Sequence, residues 1–190
     1  MLEAFAVSTG VVALGEIGDK TQLLALLLAA RFRKPWPIVA GILVATLANH
    51  AAAGALGTWI SGVVDPRWLR WVLGLSFLAV ALWMLVPDQV DTSAQPHTGR
   101  WGVFGITVVA FFLAEMGDKT QIATVMLAAR FDALMTVTAG TTLGMMIANV
   151  PVVLIGERAM TWVPMVWVHR IAAAVFAVMG LLVLAGMGSV

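Results

Sequence analysis

The sequence contains no cysteine, which removes disulfides, thiolate metal sites and cysteine nucleophiles from consideration and leaves the redox compartment unreadable. Charge is scarce as well. Asp, Glu, Lys and Arg together make up 11% of the 190 residues, against about a quarter in a soluble domain. No basic cluster is longer than "RFRK" at Arg31 to Lys34, and the formal net charge is +1. A nucleic acid would find no electrostatic footprint and is excluded as a partner. The N-terminal "MLEAFAVSTG" carries an acid and no basic residue, whereas a secretory signal opens on a positive segment. This stretch reads as the start of a retained first span.

What is abundant is apolar side chain: 61% of the chain is hydrophobic and the mean hydropathy is +0.98. The fold class expected is therefore an all-α integral membrane protein whose surroundings are a lipid bilayer. About 20 apolar residues cross the hydrocarbon as a helix, and such runs fall at 4–30, 37–60, 69–86, 102–129, 134–155 and 167–187, which predicts six transmembrane helices. Trp36, Trp59, Trp68, Trp71, Trp101, Trp162 and Trp167 lie near the expected ends, where an amphipathic indole is most comfortable.

The second half repeats the first. Residues 16–32, "EIGDKTQLLALLLAARF", match 115–131, "EMGDKTQIATVMLAARF", at 11 of 17 positions, and the correspondence continues through Ala40-Gly41 with Ala139-Gly140 and Ala48-Asn49 with Ala148-Asn149. The division expected is a first three-helix repeat at 1–87, a linker at 88–100 and a second repeat at 101–190. Three spans per repeat is an odd number, so the second repeat enters the membrane from the opposite side. Inverted repeats of this kind characterise secondary transporters that bind substrate at the midplane. With the N-terminus outside, Arg31, Arg33, Lys34, Arg100, Arg158 and Arg170 are cytoplasmic and Arg67, Arg70 and Arg130 are not. The excess of positive charge favours that orientation, with both termini outside and the linker cytoplasmic.

Each repeat carries ionisable groups in mid-span: Glu16, Asp19 and Lys20 in the first, Glu115, Asp118 and Lys119 in the second. A charged residue at the centre of a transmembrane helix costs roughly 2.5–3.5 kcal/mol, so six approach something on the order of 15 kcal/mol before pairing. Structural ion pairs that glue two helices together are the plain alternative, but small residues and hydroxyls achieve the same for less. Four carboxylates against two lysines leave a formal charge of minus two. One divalent cation or two protons would neutralise it in the low-dielectric interior, which is the arithmetic of an exchanger. In a continuous helix Glu16, Asp19 and Gln22 would form one slanting stripe. Gly18 and Gly117 would equally permit a local break that frees backbone carbonyls.

The expected metal ligands are Glu16, Asp19, Glu115 and Asp118 with the amides of Gln22 and Gln121. Asn49, Asn149, Thr21, Thr120, Lys20 and Lys119 stand as further ligands or supporting groups, although Asn49 and Asn149 would serve equally as interhelical hydrogen-bonding partners. These are hard oxygen donors, suited to calcium, manganese or magnesium. Of the three histidines His97 and His169 lie in or beside loops, and His50, replaced by Val150 in the second repeat, reads as a packed neutral imidazole more readily than as a ligand or proton carrier. The methionines read as apolar filler, and Arg31 and Arg130 as interfacial anchors.

The doubled "EIGDKT" and "EMGDKT" resemble the signature of a family of small cation:proton exchangers that includes Golgi calcium/manganese transporters, chloroplast manganese transporters and bacterial manganese exporters. Both copies match that signature at every position. The resemblance implies export of manganese or calcium from the cytosol in exchange for protons, carried by Glu16, Asp19, Glu115 and Asp118. It also implies no enzymatic activity, no cofactor, and a bacterial inner (plasma) membrane location, and leaves room for a homo-oligomer. A proton-coupled exporter of a cationic amino acid is the alternative, though the site offers little for that substrate's carboxylate. A channel is less well suited, because deep paired carboxylates hold divalent ions firmly. An intramembrane aspartyl protease would need a shared-proton pair of aspartates, which a glutamate one turn away and an adjacent lysine would disturb.

Overall fold

The computed structural model describes residues 1–86, 102–156 and 165–187. The expected linker at 88–100, with His97 and Arg100, lies outside the described residues, as do Trp101, Arg158 and Trp162. Among the described residues there are eight helices: α1 (Leu2–Glu16), α2 (Lys20–Phe32), α3 (Pro35–Val63), α4 (Pro66–Met84), α5 (Gly102–Glu115), α6 (Lys119–Phe131), α7 (Leu134–Ile155) and α8 (Met165–Leu184).

The apolar runs at 37–60, 69–86, 134–155 and 167–187 reappear as α3, α4, α7 and α8, each long and apolar enough to cross a membrane. The runs at 4–30 and 102–129 do not form single helices. Each is divided at its motif, into α1 and α2 and into α5 and α6. At 1.5 Å per residue, 13 to 15 residues reach only about 20 Å, short of the roughly 30 Å of hydrocarbon.

The duplication extends to the backbone. α1 and α5 end at Glu16 and Glu115, and α2 and α6 begin at Lys20 and Lys119. Both of these later helices close on a left-handed residue, Arg33 in one and Asp132 in the other. Starts and stops recur at the same offset because the same local chemistry recurs.

Beside an apolar core, many polar side chains are buried and many large alkyl ones are exposed. Ser8, Thr46, Asn49, His50, Thr107, Thr141 and Asn149 are buried, while Leu47, Leu75, Leu82, Leu113, Ile147 and Leu181 face outward. A bilayer rewards that arrangement, since it solvates alkyl groups and leaves polar groups to find partners inside. Trp36, Trp59, Trp68, Trp71 and Trp167 are exposed near helix ends, as expected of interfacial indoles.

Contacts along the two long helices α3 and α7 order the rest. On α7, Gly140 lies against Phe5 and Ser8 and Gly144 against Thr9, Val12 and Ala13, and the Ala148 carbonyl accepts from Gln22 Nε2 at 3.0 Å. On α3, Gly41 lies against Phe104 and Thr107, Asn49 Nδ2 donates to the Phe112 carbonyl at 3.0 Å, and Gly57 meets Val125, Ala128 and Ala129. α1 and α2 thus advance along α7, and α5 and α6 along α3. α3 and α7 themselves pair in the opposite sense, Gly54 meeting Leu134 and Thr138 and the His50 carbonyl accepting from Thr138 Oγ1 at 3.5 Å. α4 and α8 pack on each other through Gly74, Leu78, Gly180 and Leu184 and through the tilted ring pair of Phe77 and Phe176.

Candidate ion-binding site

The motif E-x-G-D-K-T reads, in three dimensions, as a helix stop followed by a helix start. Glu16 and Glu115 close one helix. Gly18 and Gly117 take φ of 85° and 74°, values that only glycine adopts without strain. Asp19 and Asp118 then stand at the N-cap of α2 and α6, the position aspartate favours because its carboxylate can accept from free backbone N–H groups. Asp118 does so, accepting from the Thr120 N–H at 3.3 Å. Both acids therefore sit at the positive end of a helix dipole.

The glutamines hold the breaks open. Gln22 Oε1 accepts from the Gly18 N–H at 2.9 Å and Gln121 Oε1 from the Gly117 N–H at 2.6 Å. Their amide nitrogens reach the other repeat: Gln22 Nε2 donates to the Ala148 carbonyl, and Gln121 Nε2 to Asn49 Oδ1 at 3.5 Å. In this arrangement each carbonyl oxygen accepts one backbone N–H, so the two side chains act as clasps on the breaks.

Gly117→Ala isolates the break. A Cβ there would meet nothing within 4 Å, but φ is 74°, so the added cost is backbone strain of about 1–2 kcal/mol. The expected outcome is a folded protein that melts slightly earlier in detergent and transports more slowly. Wild-type transport would argue that the break is dispensable.

Glu16, Asp19 and Asp118 each offer a carboxylate oxygen, and these oxygens lie within 4.8 Å of one another in a fully buried setting. The acids come from both repeats. Thr21 Oγ1 donates to Glu16 Oε2 at 2.6 Å, and Thr120 Oγ1 lies 3.3 Å from Asp118 Oδ2 and 3.4 Å from Glu115 Oε2. Glu115 is thereby tied to the edge of the cluster and is itself buried. Glu16 Oε1 and Glu115 Oε1 have no hydrogen-bond partner among the described residues. Oxygen lone pairs buried without a donor are costly and are what an ion or a proton would satisfy.

The lysines do not behave alike. Lys20 Nζ is 2.7 Å from Asp118 Oδ1, across the two repeats. Lys119 Nζ donates to the Val86 carbonyl at 3.1 Å and stands 5.9 Å from the Trp83 ring centroid. Val86 and Trp83 were not signalled by the sequence, except that Trp83 is the tryptophan left over from the span ends.

Asn49 bridges the Phe112 carbonyl and Gln121. Asn149 instead donates to the Met145 carbonyl at 3.1 Å, and its Oδ1 has no partner among the described residues. His50 is buried, with neither ring nitrogen hydrogen-bonded among the described residues.

Comparison with known proteins follows the same lines. The family model described as "Divalent cation/proton antiporter GDT1" matches residues 4–92 and 103–189. A protein of Vibrio cholerae serotype O1 named "Putative manganese exporter" is 50% identical over 182 residues, covering 95% of this chain and 90% of that protein. A "GDT1-like protein" of Synechocystis is 30% identical over 177 residues, covering 83% of this chain and 84% of its own. No solved structure matches significantly.

Proposed function

The chain belongs to the GDT1 family of divalent cation/proton antiporters, transporters rather than enzymes, and from that premise we propose that it exports manganese from the cytosol in exchange for protons. Calcium is the alternative ion for the same site. The observation that carries this reading is the meeting of carboxylate oxygens from Glu16, Asp19 and Asp118 in a buried cluster, with Glu115 beside it. Oxygen donors of this kind suit manganese or calcium. The likeness to a relative named for manganese export favours manganese.

One divalent ion neutralises the formal charge of minus two, and so do two protons. Because each carboxylate oxygen can hold the metal or a proton but not both well, the two cargoes exclude each other. Asp19, Asp118, Glu16 and Glu115 are the ligands in this reading. Thr21 and Thr120 orient them by hydrogen bonds, and Gln22, Gln121 and Asn49 maintain the breaks.

The architecture of this reading is six crossings in two inverted three-helix repeats, 1–87 and 101–190, with α1–α2 and α5–α6 each acting as one broken crossing. Supporting it, α1–α2 follows α7 and α5–α6 follows α3, while α3 and α7 oppose each other. Broken helices are the usual source of ion sites at the midplane of inverted-repeat transporters. Both termini lie outside and the 88–100 linker is cytoplasmic.

Reconstitution in sealed vesicles under a pH gradient tests this. Manganese uptake should release protons into the vesicle exterior, run at a rate that a clamped membrane potential leaves unchanged, and be competed by calcium. Flux that scales with membrane potential would remove the two-for-one stoichiometry. Absence of both manganese and calcium flux would remove the function.

A further inference from the structure

The two motif lysines occupy equivalent positions, 20 and 119, yet have different surroundings. Lys119 is 3% exposed and is held at the C-terminal end of α4 by the Val86 carbonyl and the Trp83 ring. The Lys20 side chain is 29% exposed and ends on Asp118 Oδ1, on an acid that contributes to the three-carboxylate cluster. Duplication of sequence has not produced duplication of surroundings.

We propose that Lys20 is a tethered counter-ion: its ammonium occupies the Asp118 arm of the site when no metal is bound, and a divalent ion must displace it to bind. This rests on the reading of Glu16, Asp19 and Asp118 as the ion site. A metal ion held by oxygen sits about 2.0–2.6 Å from it, and an ammonium 2.7 Å from the same carboxylate would leave two like charges within a few ångströms in a low-dielectric interior. Such repulsion is several kcal/mol even at an effective dielectric constant of about 20. The two occupants are therefore mutually exclusive.

Lys20 is built to leave. It is the first residue of α2, and its long, flexible stem lets the ammonium swing off Asp118 while staying beside the acids, so the formal charge counted above is unchanged. The arrangement also filters by charge. An ion carrying a single charge gains no more from Asp118 than the ammonium it would replace, whereas a divalent ion gains more. Lys20 thus acts as a specificity-determining residue for the exchange.

The test is manganese binding by the purified full-length chain in lipid nanodiscs at one fixed pH, read from the electron paramagnetic resonance signal of free manganese. Lys20→Met, with Lys20→Gln as a second variant in case the first folds poorly, is expected to bind manganese about tenfold more tightly than wild type. Lys20→Arg, which keeps the charge, should bind as wild type does. With Asp118→Asn already present, adding Lys20→Met should change the affinity little, because the arm it competes for is gone. A purely structural lysine would not give that dependence on Asp118. Wild-type binding that Lys20→Met and Lys20→Gln leave equal or weaken overturns this inference alone, as does equal tightening in both backgrounds. Absence of manganese binding by wild type and by both variants overturns it together with the reading it rests on.

Discussion

Glu16→Gln and Asp118→Asn are each expected to lower manganese/proton exchange by about a hundredfold or more, while leaving a folded protein. Both changes conserve size and remove one ionisable oxygen from the cluster in which Glu16, Asp19 and Asp118 meet. Even a group that merely orients a metal ligand contributes about 10–100-fold to affinity, so loss of a ligand is expected to exceed that. The charge argument points the same way. The formal charge of the site falls from minus two to minus one, so a bound divalent ion is no longer neutralised in a setting where an unbalanced charge is expensive. For Glu16 the packing should tolerate the amide, since Thr21 Oγ1 can still donate to its carbonyl oxygen from the position it holds now. Vesicle uptake under a pH gradient measures the effect, and a thermal melt in detergent shows whether the fold survives. Glu3, exposed in the first turn of α1, supplies the control: Glu3→Gln should exchange at the wild-type rate. Wild-type exchange by Glu16→Gln would remove the acid cluster from the mechanism.

The other large effect is expected at Gly57, where no cargo is involved. A Cβ on Gly57 would fall onto the Val125 carbonyl oxygen, 2.8 Å from Ala128 Cβ and 3.0 Å from the Ala129 nitrogen. Two of those three atoms are backbone of α6, so no rotamer change relieves the clash and the helices must separate. Small residues that allow backbones to approach are how helices associate in a membrane, where lipid tails offer no hydrophobic drive. Overpacking usually costs about 1–3 kcal/mol, and Gly57→Leu is expected at or beyond the upper end of that range. Because Asn49 on the same helix holds Phe112 and Gln121, separation should also loosen the second break. The result should be a much lower melting temperature in detergent and little functional protein in the membrane. Gly62→Ala on the same helix, with nothing within 4 Å of the added carbon, should be close to neutral. Equal melting of Gly57→Leu and wild type would show that α3 and α6 do not depend on this approach.

Much of the protein is legible without coordinates. The scarcity of charge and the long apolar runs of residues such as Leu23 to Leu28 leave a membrane as the solvent, because no other environment accommodates so much alkyl surface. The match of 16–32 to 115–131 showed that one segment occurs twice, and the isolated position of Glu16, Asp19, Glu115 and Asp118 in those apolar runs singled them out as the candidate site, since burying charge is costly. The doubled signature was enough to point to the family, and whole-chain similarity bears that out.

Other features depend on through-space relations that spacing does not encode. A glycine in mid-span permits a break without requiring one, and in the folded chain Gln22 and Gln121 accept from the Gly18 and Gly117 N–H groups that a continuous helix would have bonded to its own carbonyls. The pairing of Lys20 with Asp118 rather than with an acid of its own motif requires the two repeats to be brought face to face. Nor does the duplicated sequence distinguish Lys20 from Lys119 or Asn49 from Asn149. Their differences arise because similar segments lie against different neighbours: Lys119 against Trp83 and Val86 at and just past the end of α4, Lys20 against the opposing motif, Asn49 against Phe112 and Gln121, and Asn149 against Met145 of its own helix. Local sequence determined which groups are present and at what depth in the chain; the tertiary packing alone decided which charge meets which, because that depends on distances between residues about a hundred positions apart.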